Sequence, residues 1–161
     1  MSEVAQQAST VSKQRAVDFS LECVLLPVSD VDRAKSFYQK LDWRLDADFK
    51  ISDAFRIIQF TPPGSNCSIL MGTGVTSAAP GSAQCLLVVK DIDAARGDLV
   101  MRGVNVSEVY HRKPGAAWIS LEGRVPGADP EHDSYFSFAD FSDPDGNLWH
   151  VQQVIQRLPG R

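Results

Sequence analysis

Three observations predict an α+β fold built from two copies of a βαβββ unit. Val28 to Lys35 reads VSDVDRAK and Val89 to Arg96 reads VKDIDAAR, with each matching position displaced by 61 residues. Self-similarity at one fixed spacing marks an internal duplication. In each copy an apolar run leads into an Asp (Asp30, Asp91), a residue suited to cap a helix by accepting hydrogen bonds from its first free backbone N–H groups. Apolar residues then recur at helical spacing, as Val31, Ala34, Phe37, Tyr38 and Leu41 in the first copy and Ile92, Ala95 and Leu99 in the second, where Gly103 ends the helix.

The elements follow in order. Phe19 to Val28 is a nearly continuous apolar run that reads as a buried strand, and the first helix covers Asp30 to Leu41. Strands are expected over Trp43 to Phe49, Phe55 to Thr61 and Cys67 to Met71, with Pro62, Pro63 and Gly64 supplying the turn between the last two. Gly72 to Gly81 is small, polar and broken by Pro80, and reads as a linker. The second unit gives a strand over Ala83 to Val89, a helix over Asp91 to Arg102 and a strand over Val104 to Tyr110. A hairpin then pairs Tyr135 to Phe141 with Leu148 to Ile155 around Asp143 to Asn147 (DPDGN), whose Asp and Gly residues suit a tight turn. The expected organisation is an arm over 1–18, one domain over 19–155 (first module 19–72, linker 73–81, second module 82–155) and a tail over 156–161.

Composition sets the bounds. A chain of 161 residues with 43% hydrophobic content can fold as one domain with a substantial core. The net charge of −4, without a concentrated basic patch, argues against nucleic acid as a partner. No apolar stretch is long enough to span a bilayer, so no membrane partner is expected. The first seventeen residues lack the apolar centre of a signal peptide, and read as a disordered arm on a cytoplasmic protein. Cys23, Cys67 and Cys85 are odd in number and lie in apolar runs, which argues against a disulfide framework or a zinc knuckle and favours reduced, buried thiols for Cys67 and Cys85.

The second unit carries a surplus of about twenty residues between His111 and Asp133, rich in Pro, Gly and charge, with a short strand expected near Trp118 to Leu121. Loops this long in a compact domain are functional or disordered. The segment is either a lid over a ligand or a mobile excursion held down by Trp118. His111, Arg112, Lys113 and Arg124 on it are available to an anionic substrate or to solvent. Tyr135, Phe136, Phe138 and Phe141 crowd one strand, so some of these rings belong to the core and others can wall a cavity.

The phrases LPVSDVDRAKSFY, QFTPPGSNCSI and FSDPDGNLWHVQQ, set in paired βαβββ modules, together resemble the vicinal oxygen chelate superfamily of glyoxalases, extradiol dioxygenases, epimerases and fosfomycin and bleomycin resistance proteins. The resemblance runs from Phe19 to Ile155. It implies that each module curls into a half-barrel, that the two halves enclose a cavity, that a divalent metal commonly sits on its floor, and that members often form homodimers. The metal-ligand places of the family fall on Cys23, Leu70, Gln84 and His150. Leu70 cannot coordinate. Cys23, Gln84 and His150 form a degraded set better suited to zinc, iron, nickel or copper than to magnesium or manganese. The alternative is a packed thiol, a strand glutamine and a partly buried imidazole without metal.

His150 is the strongest single candidate for chemistry. Strand alternation puts it on one face with Gln152, while Trp149, Val151 and Gln153 take the other. An imidazole there can act as general acid or base without a metal, and Cys23 can serve as acid, nucleophile or wall. Gln59, Leu70, Gln84, Trp118, Phe138 and Gln152 are the expected substrate contacts, and their apolar and aromatic share favours an apolar or aromatic small molecule. Three functions follow. The leading one is a glyoxalase-like enzyme performing lyase, isomerase or ring-opening chemistry with His150 central and a metal optional. The second is a binding or resistance protein that sequesters its ligand unchanged. The third is a divalent-metal glyoxalase or extradiol dioxygenase.

Overall fold

The computed structural model describes residues 17–117 and 121–159. Trp118, all but the end of the N-terminal arm, and the last two residues of the tail lie outside that range. Among the described residues the chain runs β1 (Cys23–Leu25), α1 (Val31–Lys40), β2 (Arg44–Ser52), β3 (Phe55–Thr61), β4 (Ser68–Thr73), β5 (Gln84–Val89), α2 (Ile92–Met101), β6 (Tyr110–Arg112), β7 (Arg124–Pro126), β8 (Ser137–Ser142) and β9 (Leu148–Gln153). The strands form two sheets, ordered β1-β4-β3-β2 and β5-β9-β8-β6-β7. In each sheet the first strand pairs parallel with the last and the other pairings are antiparallel. The duplicated α+β architecture is therefore present, as two curved sheets without a closed barrel.

The duplicated phrase acts as the spacing demands. Asp30 and Asp91 are both extended N-cap residues, accepting from the backbone N–H of Arg33 and of Ala94, each at 2.9 Å. Three strands differ from the sequence expectation. The first shrinks to three residues, and Phe19 and Leu21 ahead of it are 82% and 69% exposed. The strand expected over Val104 to Tyr110 is replaced by a single bridge between Val106 and Phe141, because Ser107 takes over the pairing with Asp140 through both its backbone N–H and its hydroxyl. The returning limb of the surplus segment adds β7 at the sheet edge, and the strand expected near Trp118 to Leu121 lies, but for Leu121, outside the described residues. No helix among the described residues is long and apolar enough to cross a membrane.

The core lies between the helix-bearing faces of the two sheets. Tyr38 of α1 packs on Phe60 of its own sheet and on Trp149 of the other, and Trp43 meets Trp149 edge-on with ring centroids 5.1 Å apart. Phe141 stacks on Trp149 at 6.1 Å. Ile58, Phe60, Met71, Ile92, Ala139 and Val151 complete one continuous apolar cluster. Each side chain of this kind contributes roughly 1.5–3 kcal/mol on burial.

Polar bonds at the DPDGN turn fasten the modules together. Asp143 accepts from the backbone N–H groups of Asp145 and Asn147, which closes the turn, and from the Tyr38 hydroxyl at 3.0 Å. The Trp149 indole N–H donates to that same hydroxyl at 2.9 Å. Asn147 donates to the Pro27 carbonyl and accepts from the Ala83 N–H, so it touches the end of the first strand and the start of the second module. Asp145 accepts from Ser29 and Arg33. Gly81 closes the linker at φ +78, where an added Cβ would sit 2.2 Å from the Asp145 carbonyl oxygen.

Tyr38→Phe removes a hydroxyl that serves Asp143 and Trp149 together, leaving a buried indole N–H and a carboxylate oxygen short of partners. We expect a loss of about 1–3 kcal/mol, read as a lower urea midpoint at unchanged slope. An unchanged midpoint would show that this junction contributes nothing to stability.

Candidate functional site

Because the helix-bearing faces are consumed in the core, the opposite face of each sheet turns outward. Register assigns its members. In the first sheet Cys23 pairs with Ser68, Leu25 with Leu70, and Leu70 with Gln59. In the second, Leu86 pairs with His150, His150 with Asp140, Gln152 with Phe138, and Phe138 with Tyr110. The expected alternation along the last strand holds: His150 and Gln152 share the outward face, and Trp149 and Val151 belong to the core.

The site residues expected from sequence therefore fall into two groups. Cys23, Gln59 and Leu70 lie half-buried on the first sheet. Gln84, His150, Gln152 and Phe138 lie on the second, where Gln84 is exposed and the other three are buried. The chain does not close the two faces on each other, so Cys23 and His150 do not meet across an internal floor. Trp118 is outside the described residues. Gln152 donates its amide to the Tyr135 carbonyl at 2.9 Å, a bond that positions the segment entering β8.

The outward face of the second sheet carries a polar network that sequence reasoning missed. His150 Nδ1 lies 2.8 Å from Asp140 Oδ1. Arg124 reaches Asp140 Oδ2 at 2.7 Å, and the Tyr110 hydroxyl donates to the same carboxylate at 3.0 Å. Arg124, read from sequence as a cation for an anionic substrate, is thus committed to Asp140. A carboxylate only accepts, so the contact with Asp140 places an imidazole proton on Nδ1. Burial, followed by the charge of Asp140, pushes the Tyr110 phenol up to about 12, which keeps it a donor. The hairpin could have disclosed this couple: counting outward from DPDGN, Ser142 faces Leu148 and Asp140 faces His150.

Aromatic rings and guanidinium groups flank the network. Tyr110 stacks on Phe138 at 5.6 Å, Arg124 lies over the Tyr110 ring at 4.1 Å, and Arg112 lies 5.5 Å from the Phe138 centroid. Beside them a hollow of about 650 Å³ opens between the two limbs of the surplus segment. Phe138, Phe136, Tyr135, Pro114 and Val125 supply its apolar lining. Its size is that of a small-molecule pocket. Of the thiols, burial pushes Cys67 and Cys85 up, which fits packed side chains better than nucleophiles.

Residues 20–151 match the family described as the Glyoxalase/Bleomycin resistance protein/Dioxygenase superfamily. The chain belongs to that superfamily. Among solved structures it is similar to TnmS3, an antibiotic binding protein from Streptomyces sp. CB03234, with 28% identity and a TM-score of 0.61 over 87% of this chain and 98% of that one. A glyoxalase/bleomycin resistance protein from the same Streptomyces strain is 29% identical, with a TM-score of 0.57 over 83% of this chain and 100% of that one. A superfamily member from Sphaerobacter thermophilus DSM 20745 shares the fold at 23% identity, with a TM-score of 0.57 over 84% of this chain and 98% of that one. No protein of curated function matches the chain.

The superfamily's divalent metal can be tested against the donors. Cys23 and Leu70 sit on one outward face, Gln84 and His150 on the other, and Leu70 has no donor atom. The second sheet's face thus offers one neutral carbonyl and one imidazole, with the Cys23 thiol on the other sheet, short of the three converging protein ligands of an open zinc site. Among the described residues no three His, Cys, Asp or Glu side chains converge on a common point. Within one chain this donor set does not fit a metal.

Asp140→Asn places an amide where a carboxylate fixes the imidazole and balances Arg124. Ring-nitrogen NMR of His150 is expected to show the Nδ1–H form in the parent and a mixed population in the variant, with a stability loss of about 1–3 kcal/mol. Identical His150 nitrogen shifts in both proteins would remove Asp140 from this role.

Proposed function

We propose that the protein binds a small organic molecule with an aromatic or otherwise apolar body on the outward face of its second module, and holds it without turning it over. The observation that carries this reading is the hollow of about 650 Å³ lined by Tyr135, Phe136 and Phe138, beside the stacked Tyr110 and Phe138 rings. Ligand pockets of this size bury most of a drug-sized molecule against rings and a few fixed polar groups. The 28% identical TnmS3 is an antibiotic binding protein, which supports an antibiotic-like ligand here.

A second reading rests on a separate observation. The Asp140-held imidazole of His150 has the orientation of a general acid or base, with a carboxylate fixing the proton at Nδ1. In that reading His150 takes a proton from a bound substrate, Asp140 stabilises the resulting imidazolium, and the protein is a glyoxalase-like isomerase or lyase.

The same geometry supports a homodimer. Leu25, Leu86 and Val88 stand on the outward faces, 47%, 47% and 43% exposed, beside the family's ligand positions. Two copies facing each other would bring the first sheet of one against the second sheet of the other, covering these side chains and enclosing the site between chains. Apolar area left open in one copy and complementary in the next is what a stable isologous pair requires.

Intrinsic fluorescence titration against aromatic antibiotics tests the binding reading. Phe136→Ala, at a half-exposed position, should leave stability within about 0.5 kcal/mol while weakening binding at least tenfold, about 1.4 kcal/mol. Ligand recovered unchanged after long incubation supports holding; a product that forms with the parent and not with His150→Ala would replace that reading with the catalytic one. Sedimentation should give a dimer that Leu86→Asp dissociates, and a monomeric parent would remove the pairing.

A further inference from the structure

Resting on the reading that the hollow beside Phe138 binds ligand, we infer that its ligand is dipolar: an apolar body bearing both an acidic oxygen group and a protonated amine. The hollow's two limbs carry opposite charge. The outgoing limb, at the end of β6 and just beyond it, contributes His111, Arg112 and Lys113 to the lining. The returning limb, which leads into β8, contributes Asp129, Glu131 and Asp133. Between them the floor is apolar, with Phe136 and Phe138. Among the described residues Lys113 and Glu131 form no ion pair, so their fields are not cancelled by a fixed partner. His111 is tied by Nδ1 to the Gly127 carbonyl at 2.9 Å, and Asp129 accepts the Asp133 N–H at 3.1 Å, so each limb is held by a contact to backbone.

The consequence for recognition is a balance of costs. A purely apolar molecule would strip water from both charged limbs and return nothing to either. An anion would satisfy the basic limb and be repelled by the acidic one, and a cation would meet the reverse. A molecule with both groups satisfies each limb while its body covers the rings, so complementarity of charge adds to burial of apolar area. Selection against singly charged relatives then comes from the limb they leave unpaired.

Three biphenyl probes of one body test this: one with a carboxylate at one end and an aminomethyl group at the other, one with the carboxylate alone, and one with the aminomethyl group alone. Calorimetric titration of the full chain at low salt should give the dipolar probe about fivefold tighter binding than either relative, the range of exposed ion pairs. Added salt should narrow that gap. Lys113→Gln should weaken the dipolar and anionic probes about threefold and spare the cationic one, and Glu131→Gln should weaken the dipolar and cationic probes about threefold and spare the anionic one. Equal affinity for all three probes, or preference for a singly charged one, overturns the dipolar ligand and leaves the hollow as an aromatic site. Binding of none of them overturns the underlying reading as well.

Discussion

The arrangement depends on one carboxylate. Asp143 closes the DPDGN turn with one oxygen and with the other accepts from Tyr38 of the opposite module and from the Asn147 amide. Asp143 is only 6% exposed, so each of these bonds forms away from competing water and is costly to leave unmade. Burial, reinforced by the Asp143 charge, raises the Tyr38 phenol far above its ordinary range, so the hydroxyl remains a donor. The turn that ends one module is thereby also the socket for the helix of the other. Once Tyr38 is seated there, Trp149, Trp43 and Phe141 must pack around it, and the helix-bearing faces are committed to the core.

That commitment decides where chemistry can occur. A sheet has two faces, and with one used for packing the other is left for solvent, ligand or partner. On the second sheet this free face is covered in part by the surplus segment, whose Arg124 seals Asp140 and whose limbs rim the hollow. Among the described residues the first sheet has no such cover. Its free face shows Cys23, Leu25, Leu70 and Gln59, neutral groups with little to orient a reacting molecule.

The sequence disclosed the repeat, both helix caps and most strands because these depend on local signals: an Asp before an apolar helix, alternation along a strand, Pro and Gly at turns. The face assignment of His150 was legible for the same reason. What stayed hidden was set at long range. The exposed Phe19 and Leu21 read as strand on hydrophobicity, but they lie outside the ladder that begins at Cys23. The Val104 to Tyr110 strand failed because Ser107 offered Asp140 a side-chain bond that competes with the ladder. The assumption that the two half-barrels face each other within one chain could not be checked against periodicity, since either packing buries one face of each sheet. Asp140 was legible from hairpin symmetry about the DPDGN turn, which sets it opposite His150, although the rings on either side of it in the sequence are a packing signal.

The duplication explains why the two modules are unequal. Equivalent register positions pair Gln59 with Leu70 in the first sheet and Asp140 with His150 in the second. The same backbone thus carries a neutral couple on one side and an ionisable couple on the other. An ionisable couple under partial cover needs compensating donors, which Tyr110 and Arg124 provide. Tyr110 lies on β6, where the surplus segment begins, and Arg124 on β7, within its returning limb. The first module lacks such a segment between α1 and its later strands, so a carboxylate at Gln59 would find neither partner and would face its desolvation cost alone. The polar network and the long excursion are therefore one feature, carried by the second module alone among the described residues.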